Sequence, residues 1–135
     1  MKRVRTSIIL VLLATSVFSQ EEKINYDNGD LYVGGVKDNM PEGKGTMTYI
    51  DGSKYVGQWH LGQINGKGTF SESNGNVYTG AWMNTKKHGK GTQKWGDGGV
   101  YTGMWNNDEM EGKGTMTWLN GDVYKGSWKD SQQEG

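Results

Sequence analysis

A period of 23 residues is the feature that most constrains how this chain can fold. The tyrosine of a Tyr-x-Gly pattern recurs at positions 32, 55, 78, 101 and 124, always 23 residues after the previous one. The first glycine of Gly-Lys-Gly-Thr recurs with the same spacing, at positions 43, 66, 89 and 112. A fixed period of this size predicts stacked supersecondary units in place of a single globular core.

The composition agrees with a repeat array and excludes several kinds of chemistry. Hydrophobic residues make up only 33% of the 135 residues, which is little for a conventional core. The 23 glycines instead lie in register with 6 tryptophans and 7 tyrosines, so the glycine content indicates order and not a flexible linker. The absence of cysteine excludes disulfides, thiol catalysis and cysteine-based zinc sites.

Residues 1–19 differ from the rest and predict a secretory signal peptide. Three cations, Lys2, Arg3 and Arg5, precede an apolar run, and small residues then favour cleavage between Ser19 and Gln20. We therefore expect export to the periplasm, the cell envelope or the exterior. The alternative is an uncleaved anchor, although the run is short for a membrane span.

Export changes the charge balance and with it the classes of partner that fit. Loss of the three cations takes Lys plus Arg from 15 to 12 against 15 Asp plus Glu, so residues 20–135 carry a net charge of −3 and no arginine. Neutralisation of phosphates dominates affinity for nucleic acid. The sequence therefore argues against a nucleic-acid partner.

Each unit reads as two short strands with one aromatic face. In Tyr55-Val56-Gly57-Gln58-Trp59 the tyrosine, glycine and tryptophan share a face, because side chains alternate along a strand. Glycine weakens a strand unless a bulky group lies against the bare backbone, and the aromatic residues of the neighbouring strand provide that group. The predicted repeat core comprises Tyr55, Gly57, Trp59, Gly66, Gly68, Tyr78, Gly80, Trp82, Gly89, Gly91, Tyr101, Gly103, Trp105, Gly112 and Gly114.

Two kinds of connection join the strands. Asn74-Gly75 and its equivalents predict tight hairpins with type I′ turns, which need positive φ at both central residues. Residues 60–65 and their equivalents vary in sequence and predict a looser solvent loop. The prediction is an all-β protein, an elongated single-layer antiparallel sheet of about 4.5 stacked hairpins over residues 20–135, roughly 45 Å long at about 4.8 Å per strand.

At these positions the chain resembles the MORN repeat family (membrane occupation and recognition nexus). The Tyr-x-Gly-x-Trp, Gly-x-Gly and following glycine of that family occur in order in three complete copies that begin at Tyr55, Tyr78 and Tyr101. The resemblance covers essentially residues 24–135. It implies a non-catalytic scaffold of β-hairpins, often placed near membranes, with any catalysis in other domains.

The departures from the repeat are candidates for function. Val36 replaces the expected tryptophan, and Glu72 stands where Tyr49, Trp95 and Trp118 stand in other units. The last unit stops at Gly135, so we expect an exposed strand edge that carries Trp128. A protein partner or a second copy would dock there, on Trp118, Tyr124 and Trp128. The chain could also be the repeat segment of a longer enzyme.

A lysine occupies the same place in four units, namely Lys44, Lys67, Lys90 and Lys113. One interpretation is a stripe that binds anionic lipid headgroups, with membrane lipid as the partner. The simpler interpretation, which we favour at this point, is a solvated row that discourages edge pairing. Nearby acidic residues such as Glu42 and Glu111 would offset its field, and arginine is absent from this part of the chain.

The remaining candidates give no catalytic, metal or cofactor site. The aromatic row could be a sugar or peptide platform, but a repeated aromatic row opposite glycines is better explained as core. His60 and His88 lie at different repeat positions with no regular third ligand. We expect a non-enzyme: an exported repeat scaffold that mediates protein–protein interaction or self-association, with peripheral membrane binding as the alternative.

Overall fold

The structure is a computed structural model that describes the backbone of residues 7–11 and residues 21–134. The described residues form one open sheet of 12 strands in sequential order, with antiparallel neighbours throughout. The predicted all-β repeat sheet is confirmed. The strands are β1 (Ser7–Val11), β2 (Glu21–Asn25), β3 (Leu31–Lys37), β4 (Met40–Thr48), β5 (Lys54–His60), β6 (Gln63–Ser71), β7 (Val77–Met83), β8 (Lys86–Lys94), β9 (Val100–Asn106), β10 (Glu109–Thr117), β11 (Val123–Lys129) and β12 (Gln132–Glu134).

The predicted signal peptide lies mostly outside the described residues. Within it the structure describes only β1, whose backbone pairs with β2 through Ile9 opposite Lys23. The cleavage site between Ser19 and Gln20 falls in the undescribed part, so cleavage and export stay predictions.

The core is an aromatic ladder on one face of the sheet. Each buried tryptophan packs edge-on between the tyrosine of its own unit and that of the unit before. Trp82, for example, lies 5.6 Å from Tyr55 and 4.9 Å from Tyr78 between ring centroids. The tyrosines at 32, 55, 78 and 101 are at most 1% exposed. Aromatic pairs in this geometry add about 0.5–1.5 kcal/mol beyond the area they bury, so the ladder joins consecutive hairpins.

The tyrosine hydroxyl and the tryptophan indole N–H of the ladder both donate hydrogen bonds to backbone carbonyls. The Tyr55 hydroxyl donates to the Gln58 carbonyl at 3.0 Å, and the Trp59 indole Nε1 donates to the Gly45 carbonyl at 3.2 Å. The same pair of bonds recurs in the following units. Burial without such partners would cost roughly 1–3 kcal/mol per group.

The glycines provide room for the tyrosine rings. A Cβ on Gly68 would lie 2.1 Å from the Tyr55 hydroxyl oxygen, and one on Gly91 would lie 2.1 Å from that of Tyr78. No side chain fits at such distances. The predicted packing of aromatic residues on the bare backbone of the next strand is therefore observed.

The prediction for the two connections was wrong in turn type. The two-residue turns with both φ values positive lie inside the segments predicted as loose loops, for example Asn84 (φ 50°) with Thr85 (φ 66°) between β7 and β8. Residues 63–65 belong to β6 and not to a loop. The extra length is absorbed by a bulge in β6 between Ile64 and Gly68, opposite Gly57 to Trp59.

The Asn-Gly and Asp-Gly pairs form wider turns. Asp51 keeps a negative φ and only Gly52, at φ 91°, is left-handed. The Asp51 side chain accepts a hydrogen bond from the Ser53 backbone at 2.8 Å, and the equivalent Asn or Asp does so in the other units. This Asx turn uses the acidic or amide side chain, which the type I′ prediction did not consider.

Candidate functional site

The face opposite the aromatic ladder carries eleven lysines. Strand register places Lys44, Lys67, Lys90 and Lys113 opposite Gln58, Ala81, Met104 and Ser127, respectively. Seven more share that face by register and side-chain alternation, namely Lys23, Lys37, Lys54, Lys86, Lys94, Lys125 and Lys129. All eleven are exposed. We call these eleven residues the lysine face.

Threonines fill the spaces between these lysines. Thr69 and Thr79 approach to 3.1 Å between their hydroxyl oxygens, and Thr92 and Thr102 to 3.2 Å. An open groove of about 710 Å³ crosses this face, and Lys44, Lys67, Thr46 and Gln58 line it together with two acids, Glu21 and Glu42. The face is rich in hydrogen-bond donors, and it also exposes the apolar side chains of Val56, Met83, Met104 and Val123.

The acidic residues expected to offset the lysines are mostly engaged along one edge of the sheet. Asp108 accepts from the Lys87 backbone at 2.8 Å, Glu111 from the Asp130 backbone at 3.2 Å, and Glu109 from the Ser131 hydroxyl. These bonds join each two-residue turn to the neighbouring unit. Within the described residues, no ion pair joins a residue of the lysine face to a carboxylate.

Glu42 illustrates how this edge holds a carboxylate. Its two oxygens contact the Leu61 backbone nitrogen at 2.7 Å and the His60 Nδ1 at 3.0 Å. The bond from the Leu61 backbone, followed by that from His60, lowers the pKa of Glu42. His60 therefore has a structural partner, and in the described part of the chain no group of His, Asp and Glu side chains could hold a metal ion.

The expected exposed edge at the last unit needs a correction. Trp128 is only 4% exposed, because it packs between Tyr101 and Tyr124 at 5.3 and 5.4 Å. β12 also pairs with β11 through Trp128 opposite Gln133, so β11 has a partner strand. Tyr124 is half-buried in the ladder, and of the three predicted residues only Trp118 is exposed, at 37%.

Exposed apolar side chains in this part of the sheet lie instead at the turn before β11. Leu119 is 77% exposed there. Trp118 and Leu119 line a groove of about 490 Å³ with Trp95 and Met116. The sequence reasoning named Trp118 here but missed Leu119.

A half-buried lysine, which the sequence reasoning missed, interrupts the aromatic face. The Lys87 ammonium donates to the Gln93 side-chain oxygen at 2.7 Å and lies 5.2 and 5.0 Å from the ring centroids of Tyr78 and Trp105. Burial lowers the pKa of Lys87, while the nearby carboxylates of Asp108 and Glu72 oppose that shift. Comparison of equivalent repeat positions would have identified Lys87 as an exception, since the equivalent positions 41, 64 and 110 hold Pro, Ile and Met.

The same hairpin repeats along the sheet, each time with its tyrosine and tryptophan hydrogen-bonded to backbone carbonyls. The chain is therefore a single-sheet β-hairpin repeat protein. The profile of the MORN repeat matches it five times, over residues 32–54, 55–77, 78–100, 101–123 and 124–135. The chain belongs to the MORN repeat family, as the resemblance of the sequence indicated. MORN repeats generally bind proteins or membranes.

Other comparisons add little. No curated protein matches the chain. Among solved structures, it is similar to the SAS-4 (dCPAP) TCP domain of Drosophila melanogaster, in complex with a proline-rich motif of Ana2 (dSTIL). The identity is 12%, the TM-score is 0.32, and the match covers 89% of this chain and 76% of that one. The described residues contain no apolar helix long enough to cross a membrane.

Proposed function

We propose that this chain is a non-catalytic binding module that attaches to an anionic surface through the lysine face, with anionic lipid headgroups as the target. The observation that carries the proposal is the separation of charge. Eleven exposed lysines share one face without ion pairs in the described chain, while several acidic residues accept hydrogen bonds along the hairpin edge.

The binding free energy expected from these lysines agrees with a peripheral and reversible attachment to the membrane. Each lysine near an anionic membrane contributes about 1 kcal/mol, so four to eight of them suffice for binding that salt weakens. The mature protein would meet the membrane after export, as the N-terminal sequence predicts. The proposed role needs no cofactor and no nucleic acid.

Co-sedimentation with vesicles tests this role. We expect binding to phosphatidylcholine vesicles that contain phosphatidylserine at low salt, loss of binding at high salt, and no binding to phosphatidylcholine alone. The triple variant Lys44→Gln/Lys67→Gln/Lys90→Gln should bind markedly less. The matched control, Lys44→Arg/Lys67→Arg/Lys90→Arg, keeps the charge at the same three positions and should bind like the parent. Equal losses in the two triples, or no binding at low salt, would overturn the proposal.

A second candidate function is self-association or binding of a protein partner at the C-terminal part of the sheet. Exposure of Trp118 and Leu119, which line one groove, supports it. Light scattering at increasing concentration should show dimers that Leu119→Lys abolishes. Ile50→Lys is the matched control, since Ile50 is 73% exposed at the equivalent position of an earlier turn. A monomer at every concentration would argue against self-association.

A further inference from the structure

Three departures from the repeat lie together on the aromatic face, away from the lysine face. Glu72 replaces an aromatic residue, Lys87 replaces Ile64 or Met110, and Gln93 replaces residues such as Phe70 or Met116. Glu72, Lys87 and Asp108 line one cleft of about 450 Å³. Gln93 holds the ammonium of Lys87 at one side of it.

Packing alone does not account for these substitutions. Gln93 is 3% exposed, and the equivalent Met47 and Met116 are buried as well. Polar groups at such positions cost free energy that apolar residues would not. Lys87 and Gln93 form a hydrogen bond with each other and occur in the same unit. We infer that the two substitutions serve a role other than stability.

The cleft combines apolar walls with unbalanced negative charge. Ile64, Phe70 and Trp82 provide the walls, and Tyr49 and Thr85 complete the rim. The Lys87 ammonium, which lies over Tyr78 and Trp105, is the one cation among the lining residues and offsets only one of the two carboxylates, Glu72 and Asp108, so the lining keeps a net charge of −1. Asp108 bonds the Lys87 backbone, whereas the exposed Glu72 carboxylate accepts no hydrogen bond within the described residues.

We propose that this cleft binds an arginine side chain presented by a protein partner. A planar guanidinium is weakly hydrated, stacks on aromatic faces and pairs with a carboxylate through two parallel hydrogen bonds. The aliphatic part of that side chain would lie against Phe70, Trp82 and Ile64, and the guanidinium would pair with Glu72. The two arginines of the chain, Arg3 and Arg5, lie in the predicted signal peptide, so after the predicted cleavage the arginine comes from a different protein.

Titration with N-acetyl-arginine amide tests the inference on the full chain. The readout is the NMR signal of the Trp82 indole N–H, which donates to the Gly68 carbonyl inside the sheet and is assigned with Trp82→Phe. We expect saturable shifts in the millimolar range, absent with the neutral isostere N-acetyl-citrulline amide. The Trp118 indole, outside the cleft, is the internal control and should not move.

Variants of Glu72 distinguish the site from general charge effects. Glu72→Gln should weaken binding about tenfold or more, as loss of one charge-assisted hydrogen bond predicts. Glu72→Tyr, which restores the aromatic residue of the repeat, should abolish it. Glu134→Gln removes an exposed carboxylate outside the cleft and should change nothing. Equal binding of the citrulline probe, tighter binding of N-acetyl-glutamate amide, or no effect of Glu72→Gln would overturn the proposal.

Discussion

The third and fourth matched units, residues 78–100 and 101–123, have the same backbone and the same ladder but different flanking residues. The tyrosine and tryptophan of one unit lie 4.9 Å apart and those of the other 5.2 Å. At the two flanking positions the third unit has Lys87 and Gln93, and the fourth has Met110 and Met116. The ladder therefore fixes the fold, and buried positions beside it can vary if their polar groups bond one another.

The largest predicted effect tests whether the ladder is equivalent in the two units. Trp82→Ala and Trp105→Ala should each lower the free energy of unfolding by about 3–5 kcal/mol, since both remove a buried tryptophan and its indole hydrogen bond. Urea denaturation followed by circular dichroism measures this loss. Trp118→Ala, at an exposed turn, should cost less than about 1 kcal/mol. A much smaller cost for Trp82 than for Trp105 would show that the units are not equivalent.

The ladder could be predicted from the sequence because it depends on a local alternation that repeats. Tyr55, Gly57 and Trp59 share a face in any extended conformation, and the period of 23 residues brings their copies into register. Because glycines recur opposite the tyrosines, the sequence also predicts that the tyrosine rings lie close against the glycine backbone. Side-chain alternation and repetition together leave few alternatives.

The turns could not be predicted because their local signals compete. Asn-Gly favours type I′ as a dipeptide, but the Asn or Asp side chain also bonds the backbone two residues later, and that bond prevails here. The true two-residue turns include Asp38-Asn39 and Asn84-Thr85, which lack glycine and give a weak signal. Their positive φ values are stabilised by bonds to the preceding hairpin, such as Thr85 N–H to the Ile64 carbonyl at 2.8 Å.

The cleft was missed for a different reason. Lys87 and Gln93 look like ordinary surface residues, and only strand register shows that both face the aromatic ladder. Comparison of equivalent positions identifies the two replacements, but not that the side chains bond each other. Prediction of that contact requires the length and direction of the lysine side chain across the sheet.

An intermediate effect is expected from exchange of these flanking residues between the two units. Gln93→Met alone should cost about 1–3 kcal/mol, because the half-buried ammonium of Lys87 loses its acceptor. The double variant Lys87→Met/Gln93→Met should be as stable as the parent or more stable by about 1–2 kcal/mol, since apolar groups often replace a buried polar pair without loss. A double-mutant cycle in urea measures the coupling.

The reverse exchange in the fourth unit is the matched control. Met116→Gln should cost about 2 kcal/mol, because position 110 provides no ammonium to bond the buried amide. Addition of Met110→Lys should recover part of that loss. If Gln93→Met proves neutral and the cycle shows no coupling, the bond between Lys87 and Gln93 contributes nothing and the two units differ only in composition.

The smallest predicted effect is a loss of folding stability in alkali, which is absent at neutral pH. It compares the buried tyrosines with the solvent-exposed parts of the chain. Burial raises the pKa of Tyr49 and of Tyr55 to about 12 from the ordinary value of 10.0. Below pH 10 both the folded and the unfolded chain keep these protons, so stability is unaffected. Between about pH 10 and 12 the unfolded chain loses protons that the folded chain retains, so the free energy of unfolding should fall as pH rises.

Urea midpoints across this range should decline less steeply in Tyr55→Phe than in the parent, whatever the small offset from the lost hydroxyl bond. Tyrosinate absorbance that appears fully near pH 10 while the circular dichroism remains native would contradict the prediction, because it would mean that the ladder hydroxyls are open to solvent.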